Sequence, residues 1–125
     1  MRVSIPVSFG ELVDKITILE IKCDQIGDPQ KSALALAELS LLREVLDGLP
    51  RPDGFDEIKR ELRAVNETLW EAEERIRACE AGEDFGERFV ALAQSIYRQN
   101  DRRYALKDRL NRAAGSAIRE VKSHV

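Results

Sequence analysis

The chain is poor in the residues from which reactive centres are most often assembled. It has one His and two Cys, too few for a closed four-ligand zinc site built from those residues. A Ser-His-Asp or Cys-His engine would depend on His124, next to last in the sequence, where a chain is expected to fray. Cys23 and Cys79 fall on apolar seams and read as small core residues with reduced thiols, not as nucleophiles. No Gly-rich phosphate loop occurs, and the seven Gly and four Pro lie between periodic segments rather than within them. No apolar run approaches the roughly 18 residues of a membrane span. The opening MRVSIPVSF is too short and too polar for a signal peptide. No membrane association and a cytoplasmic location are therefore expected. The net charge of −3 argues against general affinity for nucleic acid or anionic lipid.

What the chain does have is 43% hydrophobic and 34% charged residues, the mixture that amphipathic helices produce. A chain of 125 residues suits one domain with its own core. The first helix has a clear start, because Ser8 and Glu11 form the S-x-x-E of a capping box, with Val7 and Leu12 at staple positions. Leu12, Ile16, Leu19, Cys23 and Ile26 follow as one helical seam that should end near Gly27. Asp28 and Pro29 open a second helix as cap and first residue. Its seam is Ala35, Leu39, Leu42, Leu46 and Leu49, and Leu34, Leu41 and Val45 add a second apolar line. Residues 50–54 read as the main turn.

The third helix carries the most regular pattern, from Phe55 through Ile58, Leu62, Val65, Leu69, Ala72 and Ile76 to Cys79, with Gly82 expected just past its end. The fourth should start near Asp84 and run through Phe85, Phe89, Leu92 and Ile96 to Leu106, Leu110 and Ala113, stopped by Gly115. Ser116 is placed to cap a short terminal helix over 117–123. The fold class is therefore all-α: antiparallel hairpins in a four-helix, bundle-like or elongated single domain over 1–125, coiled-coil-like in its seams. A loop of two or three residues makes helices three and four antiparallel neighbours. If Ile76 then lies opposite Phe89 and Leu69 opposite Ile96, Asn66 falls level with Gln99 and Asn100.

At that level the fourth helix loses its seam, since Gln99, Asn100 and Arg103 stand where Leu or Ile would be expected. A polar group inside a bundle costs stability unless it is hydrogen-bonded, so Asn66, Trp70, Arg98, Asn100, Asp101 and Arg103 form the candidate site. One reading is a layer that fixes helix register. The other is a pocket in which Arg98 or Arg103 grips a carboxylate or phosphate against a wall made by Trp70.

Two carboxylate pairs, Glu11 with Asp14 and Glu71 with Glu74, have the i, i+3 spacing a divalent cation can use. The all-α nucleotide pyrophosphohydrolases use such pairs, but here the E-x-x-D comes first, against that family's order, and Glu11 already serves the capping box. No metal and no cofactor are assigned. The basic residues from Arg98 to Arg112 face the many Glu of helix three, with Glu67 level with Arg98, so interhelical ion pairs are their expected use.

The strings IPVSFGELVDKITILEIK, VNETLWEAEERIR, IYRQNDRRYALKDRLN and GSAIREVKS together resemble a bacterial, mainly proteobacterial, helical family described only as a domain of unknown function. The resemblance spans nearly the whole chain and is loosest between Gly27 and Phe55. It implies a link to glycosyltransferases and surface polysaccharide, and carries over no catalytic residue. The strings include Asp14, Lys15, Glu20, Lys22, Lys107 and Asn111 beside the candidate site, polar residues that helix packing alone does not require. The function expected is that of a helical partner or scaffold protein, a homodimer because helix one is too short to cover the long hairpin. The alternatives are a binder or enzyme for an anionic metabolite, such as a sugar phosphate, and a Mg-dependent pyrophosphohydrolase.

Overall fold

A computed structural model describes residues 1–123; His124 lies outside them. Four helices follow in order: α1 Phe9–Gln25, α2 Pro29–Asp47, α3 Phe55–Ala81 and α4 Glu87–Ala114. The described residues contain no strand, and no helix is long and apolar enough to cross a membrane.

The start signals act as the chemistry requires, with one change. Ser8 Oγ accepts the Glu11 amide at 3.1 Å, and Asp28 Oδ1 accepts the amides of Gln30 and Lys31 ahead of Pro29. The capping box is only half made, because the Glu11 carboxylate turns to Lys107 at 2.9 Å. α4 begins at Glu87, later than the sequence suggests. Residues 82–86 are spent on the turn, in which Glu83 takes a left-handed φ of 54° and Asp84 Oδ1 accepts the Gly86 amide.

The short helix expected over 117–123 does not form; that segment is irregular. Gly115 turns the chain at a left-handed φ of 65°. Ser116 then accepts the Phe9 amide and donates to the Ile118 carbonyl instead of capping a helix. Arg119, Glu120 and Lys122 pair with Asp108, Lys107 and Asp101, which straps the segment back along α4.

α3 and α4 form the long antiparallel hairpin. α1 packs against both and against α2, whereas α2 approaches α1 alone. Val13 and Ile16 of α1 meet Leu62 and Val65 of α3 and Leu110 of α4 in one core, which Leu39 and Leu46 of α2 join. Burying such side chains is worth about 1.5–3 kcal/mol each. Gly10 lets α1 approach α4 closely, because a Cβ there would run into the Lys107 carbonyl. At 1.5 Å per residue, the 17 residues of α1 run about 25 Å and the 27 of α3 about 40 Å. The far third of the hairpin has no third helix over it.

Candidate functional site

The polar level exists, but its hub is on α1. Asp14 is 1% exposed because the apolar residues around it, Val13 and Ile16, carry it into the core. Arg103 from α4 donates Nε to Asp14 Oδ1 at 2.9 Å and Nη2 to Oδ2 at 2.6 Å. Asn66 from α3 donates to Asp14 Oδ1 at 3.0 Å and to Thr17 Oγ1 at 2.8 Å. Thr17 Oγ1 donates its own hydrogen bond to the Asp14 backbone carbonyl at 2.7 Å. Three helices thus meet in one hydrogen-bonded cluster with the carboxylate charge matched by a guanidinium. The hydrogen bond to Asp14 raises the Arg103 pKa above its ordinary value against the opposing effect of burial.

A second polar station lies one helical turn further along α4. Burial acts to lower the Lys107 pKa, yet hydrogen bonds to Glu120 and Glu11 outweigh it and leave the ammonium raised. Asn111 Oδ1 accepts the Gly10 amide at 2.6 Å, satisfying a donor at the start of α1.

Where the cover of α1 ends, a groove of about 530 Å³ opens, within the range of small-ligand sites. Ile18, Ile21 and Leu69 give it apolar walls, Trp70 stands beside them, and Glu73, Glu74, Arg77 and Asn100 line it as well. Asn66 and Arg103 reach it from the closed cluster. Trp70 Nε1 is buried and has no hydrogen-bond partner, alone in this among the side chains of the described residues.

Of the six candidate residues, the structure brings Asn66, Trp70, Asn100 and Arg103 together at this groove. Arg98 and Asp101 are exposed and do not line it; Asp101 pairs with Lys122 at 2.9 Å. The pair expected between Glu67 and Arg98 is not made, since Glu67 takes Arg63 one turn away on its own helix. The hairpin is bridged by Arg109 and Glu61 instead, at 3.6 Å. Asp14, Thr17 and Lys107 were not singled out as parts of the site. The available signal was an acidic residue set between Val13 and Ile16 in the core-facing part of α1.

The arrangement limits the chemistry. Arg103, the cation expected to grip an anion, already has its charge matched by Asp14. Glu11 and Asp14 are each paired with a cation. Among the described residues no three His, Cys, Asp or Glu side chains gather to hold a metal. No family model matches the chain, and neither a curated protein nor a solved structure is significantly similar to it.

Proposed function

We propose that this chain is a non-catalytic helical scaffold that acts by holding a protein partner. What carries the reading is the pairing within the polar cluster: the Asp14 carboxylate is matched by the Arg103 fork and by Asn66, which also donates to Thr17. A general acid, base or nucleophile must instead be free to meet a substrate. The surfaces left open are the hairpin end beyond α1, where Glu73, Glu74 and Arg77 stand beside Ile21 and Leu69, and the outer side of α2 with its exposed Leu34, Leu41 and Val45. Homodimerisation belongs to this reading, because both surfaces lack cover within the chain. The association with surface-polysaccharide assembly is retained as the setting of the scaffold.

A ligand that binds only the native state raises its stability, so a thermal-shift panel of sugar phosphates, nucleotides and Mg²⁺ tests the proposal. The scaffold reading expects no member of the panel to raise Tm. A Mg²⁺ effect lost in Glu71→Gln would restore the hydrolase alternative. The metabolite alternative has one observation in its favour, the unpartnered indole N–H of Trp70 at the groove. A shift abolished by Asn100→Ala would move the conclusion to that reading.

A further inference from the structure

The groove at the end of α1 follows one stripe of α3, formed by Asn66, Leu69, Trp70, Glu73, Glu74 and Arg77 at helical spacing. The stripe runs about 17 Å, or about three turns of helix. Ile18 and Ile21 of α1 add an apolar wall, and α1 stops at Gln25, so the groove lies where a third helix would continue against the hairpin. Both cations that line it are already opposed by a carboxylate, Arg103 by Asp14 at 2.6 Å and Arg77 by Glu73 at 3.5 Å. Glu74 is exposed and makes no ion pair among the described residues. The uncompensated charge of the groove is therefore negative, and the anion expected from the sequence would meet Glu74 rather than an unopposed guanidinium.

The same end of the molecule concentrates its acid. Residues 70–90 hold seven Asp and Glu against three Arg, a larger negative excess than the −3 of the whole chain. All seven are exposed, and among the described residues Glu73 alone of them has an ion pair. Elsewhere acid is matched: Glu20 draws three cations and Asp108 two. Apolar walls, an indole and unmatched negative charge together suit a cation carried on an apolar stem. Such a head group is attracted by carboxylates and by the face of an indole, while its methylenes lie along Ile and Leu side chains.

We propose that the groove seats an amphipathic helix of a protein partner, with Lys or Arg residues flanking its apolar face. The charge of the hairpin end selects a basic segment and disfavours an acidic one, and the open stripe has the length of a helix laid in a groove. Trp70 Nε1 also lacks an acceptor; a free ammonium ion brings none, whereas a peptide does. The inference names the partner in the scaffold reading and rests on that reading. A sugar-phosphate shift in the thermal panel would remove both, whereas a silent panel with no peptide binding would remove this inference alone.

Trp70 is the only tryptophan, so its emission reports an occupant of the groove. The probe is a labelled peptide of about 14 residues, Leu and Lys in amphipathic helical order, compared with its Leu–Glu counterpart and with spermidine. Titrated into the full chain up to about 500 µM, the Lys peptide should change Trp70 emission and saturate, and the other two should not. Glu73→Gln combined with Glu74→Gln should weaken binding by at least about tenfold, and Glu44→Gln, an exposed acid on α2, by less than about twofold. Helix content should be unchanged in both variants, because all three side chains are on the surface. No saturable binding, equal binding of spermidine, or indifference to the paired Gln substitutions would each overturn the proposal. So would peptide anisotropy that rises while Trp70 emission stays constant, which would place the peptide elsewhere.

Discussion

Arg103 grips Asp14 with two parallel hydrogen bonds, 2.9 Å from Nε to Oδ1 and 2.6 Å from Nη2 to Oδ2, across 89 residues of sequence. The pair ties α4 to α1 at the level where the apolar seam of α4 stops. Asp14 is sealed from water, while the Arg103 side chain keeps 29% of its surface exposed. Removing the cation leaves a buried carboxylate held only by Asn66. Arg103→Ala should therefore destabilise the fold by about 2–4 kcal/mol, somewhat under the range for a fully buried pair. Arg103→Lys keeps the charge, loses the fork and should cost about half as much. Replacing both partners, as Asp14→Leu with Arg103→Met, should recover most of the loss, because no charge is then left unmatched. Urea unfolding of the three variants checks the order; a double variant no better than Arg103→Ala would show that the pair does more than match charge.

Gly10 offers a second test of how α1 meets α4. Alanine is the better helix former by about 1 kcal/mol, and on propensity alone Gly10→Ala should stabilise α1. Its Cβ, however, would meet the Lys107 carbonyl, which is backbone, and Asn111 Oδ1, which holds the Gly10 amide. The helices would have to separate. The expected outcome is net destabilisation of about 1–3 kcal/mol, typical of overpacking, measured as a fall in the denaturation midpoint.

The contrast between these two contacts explains how much was legible in the sequence. Local chemistry was readable: the Ser8 and Asp28 caps, the seam from Leu12 to Cys23, and the level at which Gln99, Asn100 and Arg103 interrupt α4. The connection between α3 and α4 made them neighbours as expected, although it takes five residues and not two or three. α1 has no such tie to α4, because its place depends on packing between segments about 90 residues apart. Asn66 could therefore be located at a polar level while its real partners, Asp14 and Thr17, could not. Ser116 failed for a different reason: a serine after a glycine reads equally as a helix cap and as a tie to another segment. Only the proximity of Phe9 decides between them.

Trp70 combines a half-buried ring with an indole N–H that bonds to nothing. An unmet buried donor costs about 1–3 kcal/mol of desolvation, while the ring contributes apolar contact. Trp70→Phe removes the donor and keeps an aromatic ring, so it should leave stability unchanged or raise it by up to about 1 kcal/mol. Trp70→Ala should lower it by about 2–3 kcal/mol through lost packing. A clear loss in Trp70→Phe would mean that the N–H has a partner in solution. Since Trp70 is the only tryptophan, its emission reports on the groove directly.

The segment after Gly115 is held by charge, and its attachment should depend on pH. Hydrogen bonds from Arg119 and then Arg112 hold the Asp108 pKa below its ordinary value of 3.8. A carboxyl depressed in the folded state adds stability above its unfolded pKa and loses it as pH falls through the folded one. The contribution of this pair should therefore be complete at neutral pH, begin to fall near 3.8, and vanish below the depressed value. Surface pairs of this kind are worth less than about 1 kcal/mol and are screened by salt, so the local signal is the useful one. Protection at 116–122, after correction for the intrinsic pH dependence of amide exchange, should be greater at pH 6 than at pH 3, and Arg119→Ala should shrink that difference. Equal corrected protection at both pH values in the wild type would assign the strap to the Ser116 hydrogen bonds, which use no carboxylate.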